Sequence, residues 1–168
     1  MKQFIRPNLS PKPLFKRMII KRLDAVSIFN NKLTFLIPHE WINVEFDEND
    51  AYQYQLSNAT CGFFRVSLIT GHGPAEKLRE SFQKAHGNVE VNPTTGNLIA
   101  RSEKALTQDG TPIHIHYWFV GGSVGPDAIC EAVFSYTVLA HLHNDSETQS
   151  DVQIIGQLVA DARFEHPA

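Results

Sequence analysis

The sequence has no run of apolar residues near the ~20 that a membrane-spanning helix needs. Its longest early apolar stretch, Met18-Ile19-Ile20, is fenced by Lys16, Arg17, Lys21 and Arg22. A secretory signal needs an unbroken apolar core of about 7–15 residues, so none is expected. Two cysteines, Cys61 and Cys130, lie in apolar, strand-like surroundings and read as buried free thiols rather than a disulfide. That pattern points to a reducing, cytoplasmic setting. No Gly/Ser linker, internal repeat or low-complexity tract divides the 168 residues, a length that suits one domain.

Catalytic motifs are also missing. Gly121-Gly122-Ser123-Val124-Gly125 has the letters of a Gly-x-Ser-x-Gly nucleophile elbow, but Pro126 leads onward to another strand where the elbow requires a helix. Gly71-His72-Gly73 lacks both a Walker lysine and a dinucleotide fingerprint. The acidic run Glu45-Phe46-Asp47-Glu48-Asn49-Asp50 has neither the loop glycine nor the twelfth-position glutamate of an EF-hand, and reads as a solvated connection. The expectation is therefore a protein that is not an enzyme and carries no cofactor.

What is present is ordinary globular composition, 42% hydrophobic and 20% charged, with a polarised charge distribution. Lys2, Arg6, Lys12, Lys16, Arg17, Lys21 and Arg22 precede the first acidic residue, Asp24, and the remaining 8 basic and 18 acidic residues give a body of −10. Residues 1–22 thus read as a basic arm, extended by Pro7, Pro11 and Pro13, ahead of a single domain over 23–168. Such an arm either docks on an anionic surface or folds back on its own acidic body.

Hydrophobic patterning predicts strands over 23–29, 33–37, 52–56 and 63–69. A helix follows from Pro74, with Ala75, Leu78, Phe82 and Ala85 on one face and Gly87 as its stop. Three strands, about 98–107, 113–120 and 128–142, come next, and a last helix starts at Ser146 or Ser150 with Val152, Ile155, Val159 and Ala162 inward. The architecture is α+β: an antiparallel sheet of about six to seven strands with two main helices, both on one face.

Leu33-Thr34-Phe35-Leu36-Ile37-Pro38-His39-Glu40-Trp41, the acidic residues 45–50, Tyr52-Gln53-Tyr54 and Gly62-Phe63-Phe64-Arg65-Val66-Ser67 together resemble the PsbP-like superfamily. Within it they look closest to a bacterial family of unknown function with a Pro-x-x-Trp, acidic, Gly-x-x-Arg-x-Ser progression. The superfamily includes photosystem extrinsic subunits and a Ran-binding nuclear import factor. The resemblance implies a bacterial, non-enzymatic protein-binding module: an adaptor, effector chaperone or immunity-type protein. It supplies no catalytic residues. Two alternatives stand beside it: a small-ligand binder or enzyme with a cavity between sheet and helices, and an anionic-surface binder acting through the basic arm.

The candidate site comes from strand register. Asp109-Gly110 as a two-residue turn sets Glu103 opposite His116 and Arg101 opposite Trp118. A second turn centred on Gly121–Pro126 would set Glu131 and Ile129 on their other side. Arg101, Glu103, His116, Trp118 and Glu131 then form an exposed face for a protein partner, with the apolar set, Ile113, Ile115, Tyr117 and Phe119 beside Cys130, Ala132, Phe134 and Tyr136, on the other side. Lys104 falls among the apolar positions as an exception. Trp41 is a candidate aromatic anchor, but reads first as a plug of the core with its N–H bonded to a carbonyl. The same register holds His114/His116 apart from His141/His143 by roughly 26 Å, so no metal site is expected. Self-association is compatible with this reading, and nucleic acid is not the expected partner.

Overall fold

The computed structural model describes residues 22–45, 52–56 and 62–165. The basic arm, the greater part of the acidic run, and Cys61 lie outside the described residues. Ten strands and two α-helices follow in the order β1 (Leu23–Ile28), β2 (Leu33–Pro38), β3 (Trp41–Glu45), β4 (Tyr52–Leu56), β5 (Gly62–His72), α1 (Ala75–His86), β6 (Glu90–Val91), β7 (Leu98–Gln108), β8 (Thr111–Ser123), β9 (Ala128–Leu139), α2 (Ser146–Ala160) and β10 (Arg163–Phe164). A 3₁₀ turn over Ala140–Leu142 separates β9 from α2.

Seven strands form one antiparallel sheet in the order β3-β4-β5-β9-β8-β7-β6, and β1-β2-β10 form a second sheet of three. The α+β class, the large sheet and the two helices agree with the sequence. The two helices, however, lie on opposite faces of the large sheet. The Phe82 ring of α1 abuts Gly121, whereas Gly156 of α2 abuts Trp118, and positions 121 and 118 of one strand point to opposite sides. The small sheet shares the α2 side. There Phe35 of β2 meets Phe134 edge to face at 5.4 Å, and Phe64 stacks on Phe134 at 5.9 Å, in a core that also takes Trp118, Val120, Tyr136, Ile155 and Val159. On the other side Leu78 and Phe82 bury Leu98 and Ala100.

Two helices on two faces explain Lys104. It does share the α1 side, pairing with Ile115 without a bulge, but it lies beyond the Leu98–Ala100 end that α1 covers and is exposed. Trp41 is the first residue of β3. It is buried against Phe64 at 5.3 Å and Tyr136 at 6.1 Å, so it is core and not an exposed anchor. Its Nε1 has no hydrogen-bond partner among the described residues, contrary to the carbonyl partner expected for it.

The largest departure is the β8–β9 register. Gly121 and Gly122 continue β8 rather than turning it, and the chain reverses at 124–127, where Val124 N–H donates to the Ala128 carbonyl at 3.0 Å. A glycine pair inside a strand signals close approach of other groups. A Cβ at Gly121 would lie 2.9 Å from Phe82, and one at Gly122 would collide with the Phe164 ring. Moving the turn outward slides β9 by five residues, so His116 pairs with Tyr136 and Trp118 with Phe134. An odd slip exchanges the faces. Ala132, Phe134 and Tyr136 therefore join Trp118 instead of opposing it.

Candidate functional site: a histidine cluster beside an open groove

The β7–β8 half of the expected row is present: Arg101 pairs with Trp118 and Glu103 with His116. Glu131 is not beside His116. It lies opposite Gly121 on the α1 side, where His86 Nε2 reaches its Oε1 at 3.1 Å while the His86 ring stacks on Phe119 at 4.0 Å. Nor is the face open. The α2 helix lies across it, leaving Trp118 only 3% and His116 only 4% exposed. Arg101 and Glu103, on the outer strand, stay exposed.

The shifted register brings together residues that the sequence reading separated. β9 ends at Leu139, opposite Ile113, and the 3₁₀ turn folds the chain back over the start of β8. The ring of His143 therefore stacks on that of His114 at 3.6 Å, with planes 11° apart, and lies 5.2 Å from His116. Gln149 Nε2, one turn into α2, donates to the His143 carbonyl at 2.6 Å and pins this corner. Glu103 serves both strand histidines: Oε2 is 3.2 Å from His114 Nε2 and Oε1 is 3.3 Å from His116 Nδ1. His141 is exposed on the turn and is not part of the cluster. The sequence register holds His143 away from His114 because it places the turn at 121–126 and runs the last strand through to 142. The signal against that was Asn144-Asp145-Ser146, whose polar, cap-forming residues require an earlier stop; Asp145 is the observed N-cap.

Burial pushes the His116 pKa below its ordinary value. The Glu103 carboxylate opposes this, and His114 and His143 reinforce it. A histidine with a lowered native pKa binds fewer protons than its unfolded counterpart between that pKa and about 6.5, so stability rises with pH across this window. In EDTA, urea midpoints of the wild type should hold above about pH 7 and fall as pH drops below about 6.5. His116→Gln should flatten that fall, and an unchanged pH profile in the variant would show that another group carries it. Burial likewise pushes the Cys130 thiol up, in keeping with its 3% exposure and with the buried free thiol expected there.

Next to the cluster, α2 and strands β7 and β8 enclose a groove of about 860 Å³. Arg101, Glu103, His116 and Trp118 of the strands and Gln149 and Gln153 of the helix line it. Among the described residues β6 pairs only with Leu98 and Ile99, so the outer edge of β7 has no neighbouring strand from Ala100 to Gln108. No described helix is long and apolar enough to cross a membrane.

No family model matches the sequence, and no curated protein matches it either. Solved structures do match. A Bacteroides thetaiotaomicron protein aligns over 86% of this chain with TM-score 0.55 and 16% identity; the chain spans only 48% of that protein's length. The Saccharomyces cerevisiae Ran-binding protein Mog1p aligns over 86% of this chain and 96% of its own, with TM-score 0.52 and 11% identity. PsbP from Synechocystis aligns over 88% of this chain and 95% of its own, with TM-score 0.36 and 11% identity. The fold is like those of Mog1p and the Bacteroides protein, an α+β architecture of the kind the sequence resemblance implied.

Proposed function

We propose that this chain is a non-enzymatic protein-binding module, an adaptor that takes an extended segment of its partner along the outer edge of β7. The observation that carries the reading is that open edge, nine residues long among the described residues and bordered by the α2 groove. An exposed edge offers a row of unpaired backbone groups, which an incoming strand can satisfy while its side chains enter a neighbouring groove. The charges on β7, Arg101, Glu103 and Lys104, keep such an edge from self-pairing indiscriminately and give a partner something to select. Mog1p, a Ran-binding protein of similar fold, lends support by analogy at the level of fold only.

Arg101→Glu combined with Lys104→Glu changes one side chain on each face of the strand and leaves Glu103 in place. The double variant should bind the partner captured from the native host on the order of tenfold more weakly, whereas Glu76→Lys on α1 should bind it as the wild type does. Amides 100–108 should gain exchange protection in the complex. Equal binding by the edge variant, with no protection there, would refute the edge mode. A small-ligand binder is the second reading, favoured because the groove is concave at His116 and Trp118; ligand-induced shifts confined to those residues, without protection of β7, would favour it instead.

A further inference from the structure

We propose that His114, His116 and His143 form a binding site for a divalent transition-metal ion of the zinc class. Glu103 lies behind two of the rings as their carboxylate partner. The proposal does not depend on the edge-binding mode.

One ring nitrogen from each histidine lies within 4.8 Å of the other two, a spacing that rotation of the His143 side chain closes onto a single ion at ~2.0–2.1 Å per bond. The fold fixes this convergence at two levels. Positions 114 and 116 share a face because a strand repeats every two residues. His143 reaches them because β9 stops at Leu139, and the Gln149 side chain holds the returning chain by the His143 carbonyl.

The hydrogen bonding leaves nitrogens over. His116 Nε2 and His143 Nδ1 are both buried and have no partner among the described residues. A buried polar atom left unpaired costs roughly 1–3 kcal/mol, so the unliganded cluster carries a deficit that coordination would remove. Glu103 occupies His116 Nδ1 and His114 Nε2, and so turns His116 Nε2 and His114 Nδ1 toward a ligand role. A carboxylate on the far nitrogen of a ligating imidazole is the usual way in which proteins fix its tautomer and raise its basicity.

Three imidazoles select the ion. They suit zinc and its neighbours and are poor ligands for the hard cations calcium and magnesium, which take oxygen. The His114 and His143 rings are almost parallel, and parallel rings cannot both aim lone pairs at one centre. Loading therefore swings His143 out of the stack, a motion open to a half-buried ring on a turn.

The test uses full-length protein without a polyhistidine tag, stripped with EDTA and dialysed. Zn²⁺ titrated calorimetrically at pH 7.5 should bind at one equivalent per chain in the presence of excess Mg²⁺, and Co²⁺ should give visible absorption bands. His143→Asn and His116→Gln should each abolish this stoichiometric binding. Glu103→Gln should weaken it roughly 10–100-fold. His141→Asn, on the same turn but outside the cluster, should bind as the wild type does. His116→Gln alters a buried strand residue, so the turn variant His143→Asn, shown by circular dichroism and metal-free melting to keep its fold, carries the decision. Absence of a stoichiometric Zn²⁺ site in the wild type, or wild-type affinity in His143→Asn, would overturn the proposal.

Discussion

Phe134→Ala should cost about 3–5 kcal/mol of folding stability, the range for removing a fully buried aromatic ring and leaving a cavity. Phe134 is completely buried where the two sheets meet, with Phe35 edge-on at 5.4 Å and Phe64 stacked at 5.9 Å. These rings come from β9, β2 and β5, so the cavity would loosen both sheets at once, and collapse of one neighbour cannot fill it. A domain of this size has about 5–15 kcal/mol in total, so the variant should unfold at markedly lower urea. Phe63→Ala, one position along β5 from Phe64 and 45% exposed, should change stability by less than about 0.5 kcal/mol. A Phe134→Ala effect as small as that of Phe63→Ala would contradict the packing.

Gly122→Val should be nearly as damaging, at about 1–3 kcal/mol or more, through overpacking. Its side chain would enter the Phe164 ring, and even a Cβ lies 3.0 Å from Asn97 Oδ1. Asn97 is not free to withdraw. Its Nδ2 donates to the Ala162 carbonyl at 2.7 Å, tying the chain beyond α2 to the β6–β7 connection. Disturbing Asn97 therefore also releases β10 and the end of α2. If 121–126 were a turn, the same substitution would fall within about 0.5 kcal/mol of neutral. Urea unfolding of this one variant separates the two placements of the glycine pair.

That pair also marks where the sequence stops being legible. Local chemistry determined most of the elements. Alternation located β7 and β8, Asp109-Gly110 set their register, and Pro74 and Gly87 bracketed α1, with Gly87 at φ 77° as its stop. Arg101 opposite Trp118 and Glu103 opposite His116 followed from that hairpin alone. A glycine pair, by contrast, fits a turn and a crowded strand equally well, and the groups that decide between them, Phe82 and Phe164, are some forty residues away in the chain. The choice carried large consequences because faces alternate with every residue. Glu131 went to the α1 side, Phe134 and Tyr136 to the Trp118 side, and the covering helix closed a face expected to be open. The histidine cluster is hidden by that register together with the end of β9. His143 approaches His114 only because β9 ends where it does, and the cap residues 144–146 were the one local sign of that ending.

Everything proposed for the cluster depends on β9 lying against β8 with Tyr136, and not Glu131, opposite His116. Nuclear Overhauser contacts across the β8–β9 hairpin measure this directly. Close Hα–Hα contacts should join alternate pairs of the series His116–Tyr136, Tyr117–Ser135 and Trp118–Phe134, and the His143 ring protons should contact those of His114. Contacts from His116 to Glu131 and from Trp118 to Ile129, with none between His143 and His114, would contradict the fold described above and remove the metal site with it.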